Sequence, residues 1–522
     1  MGNETFKKFE GISEPSRETY LERAVDDLDV KLFVKNFLQP HTPEDSLEFM
    51  AVELVTLKTD ENLKASQQIV QELIHNPHSR QIVGNFVDIN YDLKSHLEER
   101  EKQLEENYGL MGILLYRGRI QKFTKTEYHI LKSFCSLVEK TQEIDSDSAI
   151  LSELKKLGQT ISQDENYQAV QNMVEAMDNY GDSNIQVRYN YFNSPFAVAH
   201  IKMRPNERWK EMLSWYSHFA KTTFEEIISM GIAHISTTRR EDLFVKAFEL
   251  MIEKNSDSII AMLGYRKIMD FFLGAPRFIE TMKLYDLPLA FPKFTNDTAL
   301  DIEGLYNPSL ILQTHINKKE DLVANEVKLG SDKNVAVITG PNNTGKSIYV
   351  KGIGLACALG FNGFPMPAEK AVVGKIDRLF THFVHPEDIK LGEGSFLDEL
   401  ARIKEALEIS TSRSVIIIDE PIRGSSPEDS EEITLWLIKG LIELKAPTFL
   451  TTHLHSVANK VSGFNGVKNL QTEIELVGKT IKPTYKVIEG KSGKSYGVEL
   501  ARQIGLSEED ILNIVKDKPP NF

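Results

Sequence analysis

Apolar positions recur at helical spacing through most of the first half of the chain. Residues 18–283 read as mainly α-helical. The stretch 93-LKSHLEEREKQLEENYG-109 is laced with charge, contains no proline and ends at glycine. Similar patterns run through 129–140, 147–178, 207–230 and 240–283. One interruption, 184-NIQVRYNYFNSPFAVAHIKM-203, is aromatic and partly alternating, which fits either a strand pair or a packed loop. Segment 284–300 carries two prolines among mixed turn residues and reads as a domain junction. After residue 300 the texture changes to short apolar runs, 335-VAVIT-339, 415-VIIID-419 and 447-PTFLTTH-453, separated by helical patterns. Buried strands alternating with helices predict an α/β domain over 301–522 with a largely parallel sheet. The expected fold is therefore multidomain: a tail at 1–17, a helical domain at 18–283, the junction, and the α/β domain.

A further pattern lies in 390-KLGEGSFLDEL-400. Ser395 fits a helix N-cap with Asp398 as its capping-box partner. Phe396, Leu397, Leu400, Ile403 and Leu407 then form an apolar stripe. A helix start preceded by glycines offers free N–H groups and a positive dipole end to an anion.

Composition narrows the setting. The 522 residues are enough for two to four domains, and the 41% hydrophobic and 26% charged shares are those of ordinary globular proteins. The two cysteines, Cys135 and Cys357, lack metal-type spacing, which excludes a cysteine cluster and fits a reducing, cytoplasmic setting. No run reaches the roughly 18 apolar residues of a membrane span, and the first twenty residues lack a signal-peptide core. A net charge of −15 argues against a surface broadly coated for nucleic acid. It leaves room for a local basic patch. Arg117, Arg119, Lys122 and Lys125 form one candidate contact patch, and the favoured reading is the plainer one, solvated residues of a helix–helix loop.

The chemistry concentrates after residue 335. The run 335-VAVITGPNNTGKS-347 matches G-x-x-x-x-G-K-[ST] at Gly340, Gly345, Lys346 and Ser347, after a strand and before a helix. Such a loop, here Gly340, Pro341, Asn342, Asn343, Thr344 and Gly345, wraps phosphates with backbone N–H groups. Lys346 would reach the β- and γ-phosphates of ATP, and Ser347 would ligate Mg²⁺. In 415-VIIIDEP-421 a buried strand ends in Asp419, a candidate Mg²⁺ ligand, and Glu420, a candidate base for the attacking water. His453, at the end of 451-TTH-453, stands where a γ-phosphate sensor would sit. The three motifs together suggest an ABC-type ATPase layout, in which a partner subunit offers a helix start to the γ-phosphate.

Several runs resemble the ATPase domain of the MutS family: GPNNTGKSIYVKGIGLACALGFNGFPMPAEKAVVGKIDRLFTHF, 392-GEGSFLDEL-400, 419-DEPIRGSSPEDS-430, 451-TTH-453 and 494-KSYGVELARQIGLSEEDI-511. Segment 19-TYLERAVDDLDVKLFVKNFLQPHTPEDSLE-48 resembles the start of the family's core lever, whose long helices carry a DNA clamp. The resemblance implies that Asn342, Gly345, Lys346 and Ser347 cradle nucleotide and metal. It implies that Asp419 and Glu420 are the Walker B pair and His453 the switch. Arg423, Gly424 and Ser425 fall in the family's D-loop at the dimer interface, and Gly394, Ser395 and Phe396 in the signature offered in trans. Tyr485 falls where the family stacks a ring on adenine; as a residue it also reads as an ordinary core tyrosine.

The chain departs from the family at several points. Asn343, Thr344 and Ile348 differ from the common loop, Gly394 stands where a serine is usual, and Pro421-Ile422 replaces Leu/Ile-Gly. Either Ser395 Oγ or backbone N–H groups would then reach the partner's γ-phosphate. In 322-LVAN-325, Leu322 replaces an aromatic residue. No mismatch-reading domain with Phe-x-Glu and no Smr extension is expected. The resemblance implies a Mg²⁺-dependent homodimeric ATPase whose levers grip mismatched, branched or otherwise structured DNA in repair or recombination. A ribosome-associated ATPase and a non-hydrolysing ATP-dependent clamp are the other readings.

Overall fold

The computed structural model describes residues 19–39, 45–107, 116–180, 185–189, 195–200, 248–313, 322–383, 393–422, 425–477, 480–490, 502 and 505–516. The expected tail, the 207–230 pattern, Arg423, Gly424 and the 494–497 turn lie outside these residues. The chain divides into two compact units, one containing His75–Asp270 and the other containing Pro15–Ile74 with Phe271–Phe522. This differs from the boundary drawn at 284–300. Residues 18–74 of the helical pattern belong with the α/β part, and the later division falls inside a helix.

The N-terminal helices α1 (Thr19–Asp27), α2 (Val30–Phe33), α3 (Asp45–Val55) and α4 (Asp60–His75) join the second unit. A π-helical turn at Val34–Leu38 follows α2.

The first unit is built on two long helices, α5 (Pro77–Asn107) and α6 (Tyr116–Gln142). They pair along Arg100–Glu127, Gln103–Thr126 and the stacked rings of His96 and His129. The expected helix over 147–178 is two helices, α7 (Ala149–Ser162) and α8 (Glu165–Tyr180). The break falls at Gln163-Asp164, where the Asp164 carboxylate accepts from Asn166 N and so starts the next helix. Tyr167 on α8 meets Phe134 on α6 edge-on at 5.5 Å. The aromatic interruption is a strand pair, β1 (Ile185–Tyr189) against β2 (Pro195–His200), antiparallel. Helix α9 (Ser256–Leu284) closes the list, and Asn90 Nδ2 donates to Met262 O on it. Arg117, Arg119, Lys122 and Lys125 lie on the backbone of α6, in a helix and not in a loop.

The second unit carries two sheets. A smaller one runs β3 (Lys293–Phe294), β7 (Lys370–Val373), β4 (Leu300–Leu305), β5 (Asn325–Leu329), and is antiparallel except for the β3–β7 pair. The larger sheet has the order β12 (Thr480–Glu489), β11 (Val467–Val477), β6 (Val335–Thr339), β10 (Thr448–Thr452), β9 (Val415–Asp419), β8 (Leu379–Phe383). All its pairings are parallel except β12 on β11. Between the strands run α10 (Leu310–Gln313), α11 (Lys346–Gly360), α12 (Glu393–Ile409), α13 (Pro427–Leu444) and α14 (His455–Val461); α15 (Glu508–Lys516) follows them.

Every residue of β6, β9 and β10 is buried, as expected of parallel strands covered on both faces. Val335, Val337, Ile416, Ile418 and Leu450 form one core with Leu437, Ile438 and Leu441 of α13. Each such side chain contributes about 1.5–3 kcal/mol by leaving water. The N-terminal helices pack on this unit. Tyr20 meets Phe380 at 4.9 Å, Arg23 pairs with Glu405 at 2.8 Å, and Thr381 Oγ1 donates to Asp27. Lys351 pairs with Asp29 at 2.7 Å, and Asn362 Nδ2 donates to Leu54 O.

Helix α12 starts at Glu393, so Ser395 is its third residue and not its cap. The capping pattern operates elsewhere. Ser426 Oγ accepts from Asp429 N at 3.1 Å, with Pro427 in the first turn of α13.

Candidate active site

Strands β6, β9 and β10 lie side by side in parallel, with Thr339 opposite Thr452 and Asp419 opposite Thr451. Their C-terminal ends therefore share one edge of the sheet, the edge where parallel α/β sheets bind ligands. The loop after β6 turns into α11 with Gly340 at φ 152°, Asn343 at 61° and Gly345 at 93°. A Cβ on Gly340 would stand 1.9 Å from Thr472 Oγ1. One on Gly345 would meet the Tyr485 ring at 3.2 Å from a left-handed backbone. Thr344 fits because its hydroxyl is used twice: it donates to Pro341 O at 2.7 Å and accepts from Thr472 Oγ1 at 2.7 Å.

Lys346 is buried, and its ammonium folds back over the loop. Nζ donates to Gly340 O and Pro341 O, both at 2.9 Å, and lies 3.5 Å from Glu420 Oε1. Ser347 Oγ donates to Asp419 Oδ2 at 2.8 Å, and Thr451 Oγ1 donates to Asp419 Oδ1 at 2.6 Å. Each carboxylate oxygen thus holds a hydroxyl. Thr451 Oγ1 also accepts from Glu420 N at 3.0 Å. Glu420 sits at φ 51°, a left-handed conformation that a non-glycine residue adopts only under constraint. Its other oxygen lies 3.6 Å from Nδ1 of the half-exposed His453. Lys346, Ser347, Asp419, Glu420 and His453, singled out from three separate motifs, therefore converge.

The donor set suits a hard divalent cation. A hydroxyl and a carboxylate oxygen in contact are Mg²⁺-type ligands, and such an ion draws its remaining ligands from water and substrate oxygens. Among the described residues no cluster of three or more His, Cys, Asp or Glu side chains offers a self-sufficient metal cage. The turn before α11 and the first N–H groups of that helix suit an anion.

Tyr485 is 48% exposed, so it is not a core tyrosine. It occupies a bulged position of β12 at φ 58°. Asn325 holds it there, donating from Nδ2 to Tyr485 O at 3.1 Å and accepting from Val487 N at 2.8 Å. Leu322 is buried. Phe396 packs against the core of its own unit. Gly394 and Ser395 form the first turn of α12. Ser425 Oγ lies 2.9 Å from Ser430 Oγ.

Two residues at the site had no assigned role in the sequence reading. Thr451 bridges both carboxylate-bearing residues, and its signal was a hydroxyl one strand over from Asp419. Glu399 has no such signal: it accepts from Ile422 N at 2.7 Å and lies 3.1 Å from His382 Nε2.

Residues 336–518 match the family model MutS domain V. This part of the chain is thus similar to the MutS family. It is 34% identical over 222 residues to the DNA mismatch repair protein MutS of Chlorobaculum parvum, covering 42% of this chain and 25% of that protein. The MutS of Fervidobacterium nodosum is 32% identical over 207 residues, covering 38% and 25%. The Endonuclease MutS2 of Thermus thermophilus is 28% identical over 265 residues, covering 51% and 35%. The matched stretch spans about a quarter of the length of the MutS relatives. Among the described residues no helix is long and apolar enough to cross a membrane.

Proposed function

We propose that this chain is a MutS-family, Mg²⁺-dependent ATPase of the ABC type, working as a homodimer on mismatched, branched or otherwise structured DNA in a repair role. The observation that carries the reading is the convergence of Lys346, Ser347, Asp419 and Glu420 at one edge of the sheet. The loop from Gly340 to Gly345 cradles the phosphates with backbone N–H groups. Lys346, already aimed at the loop carbonyls, exchanges one of them for phosphate oxygen. Ser347 and Asp419 would hold Mg²⁺, which would supply charge neutralisation at the phosphates. Glu420 accepts a hydrogen from water aligned on the γ-phosphate, and His453 beside it reports whether that phosphate is present. Tyr485, half-exposed and set over Gly345, offers its ring to adenine. The start of α12, with Gly394 and Ser395, faces the γ-phosphate of the partner subunit.

The DNA part rests on relatives named for DNA mismatch repair, and on the nucleotide chemistry that would switch a grip on DNA. The test is steady-state ATPase of the full chain with and without Mg²⁺. Glu420→Ala is expected to lower kcat by roughly 10²-fold or more, the scale of a lost general base, while ATP still binds. Wild-type turnover no higher than this variant rejects the enzyme reading. Salt-dependent retention of branched or mismatched DNA over perfect duplex supports the DNA part. Co-sedimentation with ribosomes and no DNA retention rejects it.

A further inference from the structure

We infer that Glu399 is a positioning residue that ties the start of α12 to the loop behind Glu420. The inference rests on the ATPase reading above. Glu399 lies one helical turn after Ser395 and is buried. Its Oε1 accepts from the backbone N–H of Ile422 at 2.7 Å. Ile422 is fully buried and stands at φ 65°, a left-handed backbone that is costly for a β-branched residue. Two residues earlier Glu420 is also left-handed, and Pro421 between them has no N–H to give. The Ile422 amide is therefore the first N–H after the catalytic carboxylate that can anchor this path. A carboxylate is the strong acceptor for that task. Ser430 Oγ secures the other side of the same residue, donating to Ile422 O at 2.6 Å. Glu399 thus sits between two functions: the helix start offered to one nucleotide, and the backbone that aims Glu420 at another.

The test compares Glu399→Leu, which keeps volume but removes the acceptor, with Glu399→Gln, whose amide oxygen can still accept. In Glu399→Leu a buried N–H loses its partner, so kcat should fall about tenfold or more while KM for ATP stays within about twofold. Glu399→Gln should keep most of the wild-type kcat. Exchange of the Ile422 amide should accelerate at least about tenfold in the leucine variant and little in the glutamine variant. Should Glu399→Leu fail to fold, Ser430→Ala carries the same expectation of lowered kcat at unchanged KM. A wild-type kcat in Glu399→Leu overturns the inference, even with faster exchange; so do equal losses in the two variants. If wild-type protein itself shows no turnover above Glu420→Ala, the ATPase reading has failed, and the exchange measurement alone decides whether Glu399 anchors Ile422.

Discussion

Two of the buried carboxylate sites among the described residues, one in each unit, meet a basic side chain in different ways. At the end of β9, Asp419 has a hydroxyl on each oxygen, while Glu420 lies against Lys346 on one side and His453 on the other. In the pair of long helices, Glu127 is fully buried with Arg100 Nε at 3.3 Å, and its second oxygen has no hydrogen-bond partner among the described residues. Burial outweighs the neighbouring guanidinium and pushes the Glu127 carboxyl up from 4.5 to about 8. A buried carboxylate needs several converging donors, and for Glu127 one ion-pair contact is not enough. The contrast is between a site that gives each carboxylate oxygen a hydroxyl or a basic side chain and a helix pair that leaves one oxygen bare.

That contrast can be broken at three points. The largest effect is expected from Asp419→Ala, which removes the proposed metal ligand and leaves the Ser347 and Thr451 hydroxyls without their acceptor. ATPase activity should fall roughly 10²–10³-fold, since charge neutralisation by a metal is worth several kcal/mol. Wild-type activity with an unchanged Mg²⁺ requirement in this variant would sink the assignment.

Next comes Glu127→Gln. The folded chain holds this proton more tightly than the unfolded one, so stability falls as pH rises from 4.5 towards about 8. The glutamine variant should gain up to about 4 kcal/mol over wild type at pH 8.5, and much less at pH 5. Urea unfolding at the two pH values, followed by hydrogen exchange in α6, checks this. A difference that does not grow with pH contradicts it.

The smallest is Thr451→Val, an isosteric loss of the hydroxyl between Asp419 and Glu420. It leaves the Glu420 N–H one acceptor short and should cost about 1–3 kcal/mol of stability. An unchanged melting temperature would mean that the remaining contact to Thr451 O, at 3.2 Å, is sufficient.

The sequence was legible where local pattern and tertiary burial agree. The runs 335–339 and 415–419 coincide with β6 and β9, because four consecutive apolar residues closed by a polar one suit a strand covered on both faces. The phosphate-type loop was legible because its glycines answer a local backbone demand. Residues 19–74 were misplaced because an amphipathic helix does not encode its partner. The Thr381–Asp27 bond joins residues 354 apart, and no periodicity reaches that far. The capping pattern at Ser395 misled because Ser-x-x-Asp occurs three times. At Ser426 and Ser507 the hydroxyl accepts from the Asp N–H at a helix start, whereas at Ser395 the helix has already begun two residues earlier. Glu399 was silent because its task is to hold a strained backbone, and strain leaves no mark in composition.

The helices at 19–74 have a consequence for how the protein is made. They complete a unit whose central strand β6 begins at residue 335 and whose strand β10 ends at 452, with the whole helical unit synthesised in between. At about 5–20 residues per second, a ribosome spends on the order of tens of seconds on that stretch. During that time Leu28, Phe33 and Phe37, all buried in the finished molecule, wait for later partners: α11 at Gly354 for Leu28, and Phe278 for the two rings. The helical unit, whose partners are closer in sequence, assembles while the earlier segment waits. The apolar faces of α1 and α2 are thus the exposed, aggregation-prone surface of the nascent chain and a natural foothold for chaperones.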